Sequence, residues 1–230
     1  MTDVKLVILD CDGVLVDSET ISVAVLAEFV REAGADIGED EAYRLFLGRS
    51  IGAVRKLLRD DFALALTEAQ LDGIRAETFR RFRGELQPMP GAAEMLSRLK
   101  VRRCVASSSS LERIRLSLSL TGLLEMLDPH IYSASMVTRG KPAPDLFLHA
   151  AKGMGVRPED CIVVEDSPAG IEAARQAGMR VLAFTGGSHA GHAGLEAKLA
   201  ALRPELVFSD MQMLPDLVAE KSSRTGRRAV

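Results

Sequence analysis

Val4-Lys5-Leu6-Val7-Ile8-Leu9-Asp10-Cys11-Asp12-Gly13 is the stretch on which the reading of the whole chain turns. Residues 4–9 are apolar except for Lys5. Their number and β-branched content fit a buried strand rather than a helix. The run stops at an Asp-x-Asp pair followed by Gly13, which permits a tight turn. Open α/β sheets bind ligands at the carboxyl ends of their strands. Period-two alternation directs Asp10 and Asp12 to one side. Two carboxylates so close repel each other unless one is protonated or a cation lies between them. Asp-x-Asp-Gly is also ordinary turn chemistry, so its meaning depends on what else reaches the same edge.

Beyond this strand the chain has two textures. Val23, Leu26, Ala27 and Val30 recur at helical spacing within a helix expected over 20–33, which Gly34 can stop. Further helices are expected over 39–47 and over 51–58, with Ile51, Val54, Leu57 and Leu58 on one face. Another starts at Thr67, where Thr67-Glu68-Ala69-Gln70 reads as a capping box, and runs to about Arg83. Pro88-Met89-Pro90-Gly91 breaks the pattern. After it, helices (92–99, 111–120, 144–154, 168–177, 192–201) alternate with strands (102–106, 130–133, 161–164, 180–184, 206–208). Such alternation implies a parallel sheet covered by helices. The expected fold is α/β: a Rossmann-like parallel core from 1–16 and 89–219, a helical-bundle cap inserted at 17–88, and a flexible basic tail at 220–230.

Composition sets the limits. The 230 residues (24.8 kDa) are 47% apolar and 27% charged, which excludes global disorder. A net charge of −3 gives no basic excess for nucleic acid. The last ten residues, with four basic and no acidic side chains, read first as a frayed tail, with a contact to nucleic acid or an acidic partner as the lesser alternative. Cys11, Cys104 and Cys161 form neither a zinc spacing nor a disulfide framework. No apolar run approaches the roughly 20 residues of a membrane helix, and no signal-peptide pattern precedes the first strand. A cytoplasmic protein without membrane or nucleic-acid partners is expected. A monomer is expected too, since a capped core has no obvious need of a partner.

Two other strand ends and one loop bring chemistry to the edge. Val163-Val164-Glu165-Asp166 ends a strand in another acidic pair, and carboxylates gathered from two strand ends make a hard-cation oxygen site of the kind Mg²⁺ prefers. Asp166 could also simply cap the helix at Pro168. The run Ser107-Ser108-Ser109-Ser110 offers hydroxyls and backbone N–H groups to an anion, and one of the serines can cap the following helix. Lys141 lies in Gly140-Lys141-Pro142-Ala143-Pro144, where the prolines stiffen its loop. A nucleophilic carboxylate, an acid/base carboxylate, a divalent cation, a hydroxyl and an ammonium together suit phosphoryl transfer.

With these motifs in order, the sequence resembles the haloacid dehalogenase superfamily, in the branch with a helical cap after the first strand that includes β-phosphoglucomutase-like phosphatases. The carriers are DCDGVLVDSE (10–19), VASSSS (105–110), KPAPD (141–145) and VVEDSPAGIEAARQAGM (163–179). The resemblance implies Asp10 as nucleophile and Mg²⁺ ligand. It implies Asp12 as general acid/base, with its backbone carbonyl on the metal. Ser107, with Ser108 beside it, would hold the phosphoryl group, Lys141 would neutralise nucleophile and phosphate, and Asp166 with Glu165 would complete the metal site. The implied activity is a Mg²⁺-dependent phosphatase acting on a small phosphorylated metabolite, a sugar or polyol phosphate.

Two departures sort the alternatives within that family. Mutases of the branch carry a histidine where this chain has Ser22, and all four histidines here lie at 130 or later. Dehalogenases lack the second catalytic aspartate, which this chain keeps as Asp12. A sugar-phosphate mutase remains an alternative, and so does a non-catalytic binding protein on the same scaffold. The cap loop Phe46-Leu47-Gly48-Arg49-Ser50 matches one that reaches the leaving group, with Gly48 and Arg49 as its candidate contacts; Arg49 as a solvated charge is the other reading. Ser18 and Glu19 stand at the first hinge. Gly186, Gly187, His189 and His192 mark a loop to which the sequence assigns no role.

Overall fold

The computed structural model describes residues 3–192 and 194–223. A six-stranded, wholly parallel sheet forms from β1 (Leu6–Leu9), β2 (Arg102–Ser107), β3 (Ile131–Ser133), β4 (Cys161–Glu165), β5 (Arg180–Phe184) and β6 (Leu206–Phe208), in the order β3-β2-β1-β4-β5-β6. Alternation along β1 feeds two separate cores. Val7 and Leu9 join Val105, Ile162 and Leu182 on one face, while Leu6 and Ile8 join Ala106, Val163 and Val181 on the other. Each fully buried Leu, Ile or Val contributes about 1.5–3 kcal/mol, so the central strands need the helices on both faces.

The helices of the insert are α1 (Glu19–Glu32), α2 (Glu39–Phe46), α3 (Ile51–Phe62) and α4 (Glu68–Glu85). They close on an apolar cluster of their own, built from Val23, Leu26, Val30, Phe46, Val54, Leu58 and Ile74. The Thr67 capping box is present, with Gln70 N donating to Thr67 Oγ1 at 3.2 Å and Thr67 N donating to Gln70 Oε1 at 2.9 Å. Ile51 departs from expectation: it is exposed and faces a cavity instead of the cluster.

The sheet is flanked by α5 (Ala92–Arg98), α6 (Leu111–Leu120), α7 (Leu124–Leu127), α8 (Asp145–Gly153), α9 (Pro168–Gln176), α10 (Leu195–Ala201) and α11 (Leu214–Ser223). α7 and α11 have no counterpart in the sequence reading. α10 starts three residues later than expected, after a 3-10 turn over Ser188–Gly191 and with Gly194 (φ +64°) at its N-cap. Of the stretch 220–230 read as a tail, 220–223 close α11, a correction to that boundary, and 224–230 lie outside the described residues. No helix among the described residues is long and apolar enough to cross a membrane.

Candidate active site

Register brings the site together. Leu9 pairs with Val105 on one side and Val164 on the other, so the residues just past it, Asp10, Ser107 and Glu165-Asp166, emerge at one edge. The order of connections reverses between β1 and β4, which is where a crevice forms in such sheets.

Lys141 is the hub. Its side chain is 2% exposed, and its ammonium lies 2.6 Å from Glu165 Oε1, 3.1 Å from Asp10 Oδ1 and 3.1 Å from the Ala106 carbonyl. Burial works against its charge, but Asp10 and Glu165 outweigh that and raise its proton affinity, so it is an ammonium. The other oxygen of Glu165 accepts from Ser167 N (2.8 Å) and Ser167 Oγ (2.9 Å). Gly170 lies against this carboxylate, and a Cβ there would overlap it.

Asp10, Glu165 and Asp166 each bring a carboxylate oxygen within 4.8 Å of the others, all buried. Burial pushes the Asp10 carboxyl well above the usual carboxylate range; Lys141 pulls it down, and Glu165, Asp166 and Asp12 add to the rise. Asp166 is also raised by burial, against the opposing pull of His189. Three acids around one lysine leave negative charge in excess, which a divalent cation would relieve. Glu165 already spends both oxygens on Lys141 and Ser167, so Asp10 and Asp166 offer the more available lone pairs.

Asp12 stands apart from that acidic group, although strand alternation was expected to direct its side chain to the same side as that of Asp10. Its Oδ1 accepts from Arg113 Nη2 (2.8 Å), Arg113 Nε (3.3 Å) and Ser18 Oγ (2.6 Å), and its Oδ2 from Ser109 Oγ (2.6 Å). Burial works to raise it, yet the Arg113 guanidinium and the serine hydroxyls hold it below its ordinary value. The reason for the separation is local: the chain leaves the strand at Leu9, so period-two alternation no longer aims the side chains. Ser107 is buried with Oγ 3.5 Å from Asp12 Oδ2, and Ser110 caps α6 by accepting from Arg113 N at 3.3 Å.

A cavity of about 400 Å³ opens over these groups. Asp10, Asp12, Asp166 and Ser107–Ser110 form its floor, and Glu19, Gly48, Arg49 and Arg75 belong to its insert side. Gly48 (φ +68°) packs against Ser167, seating the loop on the core. The exposed Arg49 guanidinium has no hydrogen-bond or ion-pair partner among the described residues. Arg75 is engaged by Asp72 (3.2 Å) and by Glu112 of α6 (3.7 Å). Burial, reinforced by Asp166 and Asp12, pushes Glu19 up to about 7.

Arg113 and His189 were not singled out for the site by the sequence, and Ser109 only as one of a run of four serines. Arg113 is one of many arginines in a helix, and its position three residues past the Ser110 cap was the only signal that could have found it. Ser22 holds the position of the mutase histidine; its Oγ donates to the Ser18 carbonyl (2.8 Å) and accepts from Arg113 (2.9 Å).

Comparison with known proteins agrees with this geometry. Residues 4–178 match a family model described as haloacid dehalogenase-like hydrolase. The chain is 32% identical over 219 residues to 6-phosphogluconate phosphatase of Escherichia coli, covering 94% of this chain and 96% of that one. A solved haloacid dehalogenase-like protein of unknown function from Agrobacterium tumefaciens superposes with a TM-score of 0.83 at 38% identity, covering 95% of this chain and 99% of that one. A HAD family hydrolase from Deinococcus radiodurans, solved with bound phosphate and sodium, gives a TM-score of 0.75 at 32% identity, covering 96% and 97%. This chain belongs to the haloacid dehalogenase-like hydrolases and is a phosphoric monoester hydrolase.

Proposed function

We propose that the enzyme hydrolyses a small sugar or polyol phosphate, with Mg²⁺, through a phosphorylated Asp10. The observation that carries this reading is the buried Asp10 carboxylate 3.1 Å from Lys141, inside a group of three acids and open to a cavity closed by the insert. Asp10 and Asp166, with Glu165 beside them and the Asp12 backbone carbonyl, would hold the cation. When bound, it would neutralise the acids and polarise the phosphoryl oxygens.

An Asp10 oxygen attacks phosphorus, and the bond to the ester oxygen breaks. Lys141 offsets charge on nucleophile and phosphoryl group, and the Ser107 hydroxyl and nearby backbone N–H groups bind its oxygens. Asp12 gives a proton to the leaving alkoxide. The second step reverses the proton: Asp12 takes one from water, which attacks phosphorus and frees Asp10 and inorganic phosphate. Arg113 holds Asp12 ionised, the form required of the base. An anionic ester that draws the guanidinium away would raise the proton affinity of Asp12 when it must act as an acid.

The volume suits a small ester, and the unpaired Arg49 suits a hydroxyl-rich or anionic leaving group. The similarity to 6-phosphogluconate phosphatase supports a sugar-derived substrate. Three buried, unpaired cysteines suit a reducing compartment, and the cytoplasm is the location we propose. The test is phosphate release from a panel of sugar, polyol and nucleotide monophosphates, with and without chelation. Sugar and polyol esters should give the highest kcat/KM, and EDTA should silence them until Mg²⁺ is restored. No turnover on any ester, or full activity after exhaustive chelation, would refute the corresponding part. Isomerised hexose phosphate in place of free phosphate, read by NMR, would show a mutase.

A further inference from the structure

The turn at 186–192, after β5, takes no part in the chemistry above, yet it touches three parts of the machinery. His189 is 1% exposed, and its Nε2 lies 2.9 Å from Asp166 Oδ2. Neither ring nitrogen makes a hydrogen bond of good geometry among the described residues, so this close approach to Asp166 is the ring's one polar contact there. Gly13 (φ +75°) leaves room for the pair; a Cβ there would overlap Asp166 Oδ2 and crowd the imidazole. One residue earlier, Ser188 N and Oγ both donate to Asp17 Oδ1, at 3.2 and 2.9 Å, where the chain enters α1. Three residues later, the His192 ring lies flat on Tyr43 of α2, with centroids 3.9 Å apart and planes 4° apart. Ala190 N donates to Gly187 O and His192 N to His189 O, both at 3.0 Å, so the three contacts belong to one hydrogen-bonded turn.

We propose that His189 is a positioning residue for Asp166, and that its turn links the seating of the helical insert to that acid. The imidazole removes the freedom of the Asp166 carboxylate to rotate away from Asp10 and Glu165. Ser188 and His192 register the turn against α1 and α2, so an insert seated on the core is one that holds His189 in place. Residues that orient a ligating carboxylate typically change metal affinity by about 10–100-fold when removed. The proposal rests on the reading that Asp166 helps to hold a divalent cation, and the experiment separates the two.

Binding of Mn²⁺ alone to the substrate-free enzyme, followed by the EPR signal of the free ion, gives a readout independent of activity. His189→Phe fills the same space without a ring nitrogen and should weaken Mn²⁺ binding about 10-fold or more while leaving the melting transition cooperative. His189→Gln, which keeps an N–H donor, should recover much of the affinity; it also serves if the Phe variant does not fold. Tyr43→Ala should weaken binding about fivefold, at the low end of coupling between separate sites. Asp166→Asn is the control. If it weakens Mn²⁺ binding and His189→Phe does not, or if Gln restores nothing, the positioning role is overturned. Unchanged affinity in Tyr43→Ala overturns the link to the insert, and unchanged affinity in Asp166→Asn overturns the metal reading itself.

Discussion

Arg113→Met tests the arrangement around Asp12. The substitution keeps an apolar stem of similar length but removes the two N–H groups at 2.8 and 3.3 Å from Asp12 Oδ1. It also removes a donor to Ser22 and the guanidinium 5.0 Å from the Phe82 ring centroid. The side chains are 22% and 11% exposed, so solvent screens the pair weakly. Losing one partner of a buried pair costs about 3–5 kcal/mol. The low end applies here, because Asp12 keeps the Ser18 and Ser109 hydroxyls. About 3 kcal/mol in a domain of this size lowers Tm by roughly 6–12 °C. The assay is a double-mutant cycle with Asp12→Asn, by denaturant unfolding in metal-free buffer. With no anion at 12, Arg113→Met should cost only about 1 kcal/mol, for the Ser22 bond and the Phe82 contact. Equal costs in the two backgrounds would refute the claim that the arginine serves the carboxylate.

Asp10→Asn should abolish phosphate release and leave Tm unchanged or raised, because it removes a charge that burial and three neighbouring acids already disfavour; appreciable turnover would remove Asp10 as nucleophile. Gly170→Ala should cut kcat by about 10-fold or more through displaced Glu165 and Lys141, the reach of a small shift near the reacting groups, and unaltered kcat would show that the contact yields freely. Glu77 is held down to about 2 by hydrogen bonds from Arg80 and Arg81, helped by their charge. Its folded-state proton affinity is depressed, so its contribution to stability is present above about 4.5 and lost as pH falls toward about 2. Glu77→Gln should therefore lower Tm at pH 7 and converge with wild type in acid; a difference independent of pH would contradict the ion-pair account.

Much of the site was legible because its residues sit at strand ends, and strand ends announce themselves. The apolar runs that end at Leu9, Ala106 and Val164 name Asp10, Ser107 and Glu165-Asp166 without any knowledge of partners. Strand pairing then does bring them to one edge. Residues on helices were harder. Arg113 looks like any solvated arginine of an amphipathic helix until α6 is laid beside Asp12. Ile51 shares the spacing of its helix's apolar face, but the insert turns it to the cavity.

Local pattern by itself determined the parallel α/β core, the helical insert, the Thr67 capping box and the acids that meet at the sheet edge, because period, caps and turn residues act within a few positions of the chain. Only the tertiary structure decided that Glu165 is spent on Lys141, that Asp12 faces Arg113 away from the other acids, and that His189 and His192 connect Asp166 with the insert. Those pairings join residues far apart in sequence, and side-chain charge and hydrogen bonding choose among them only after packing has set which groups can meet.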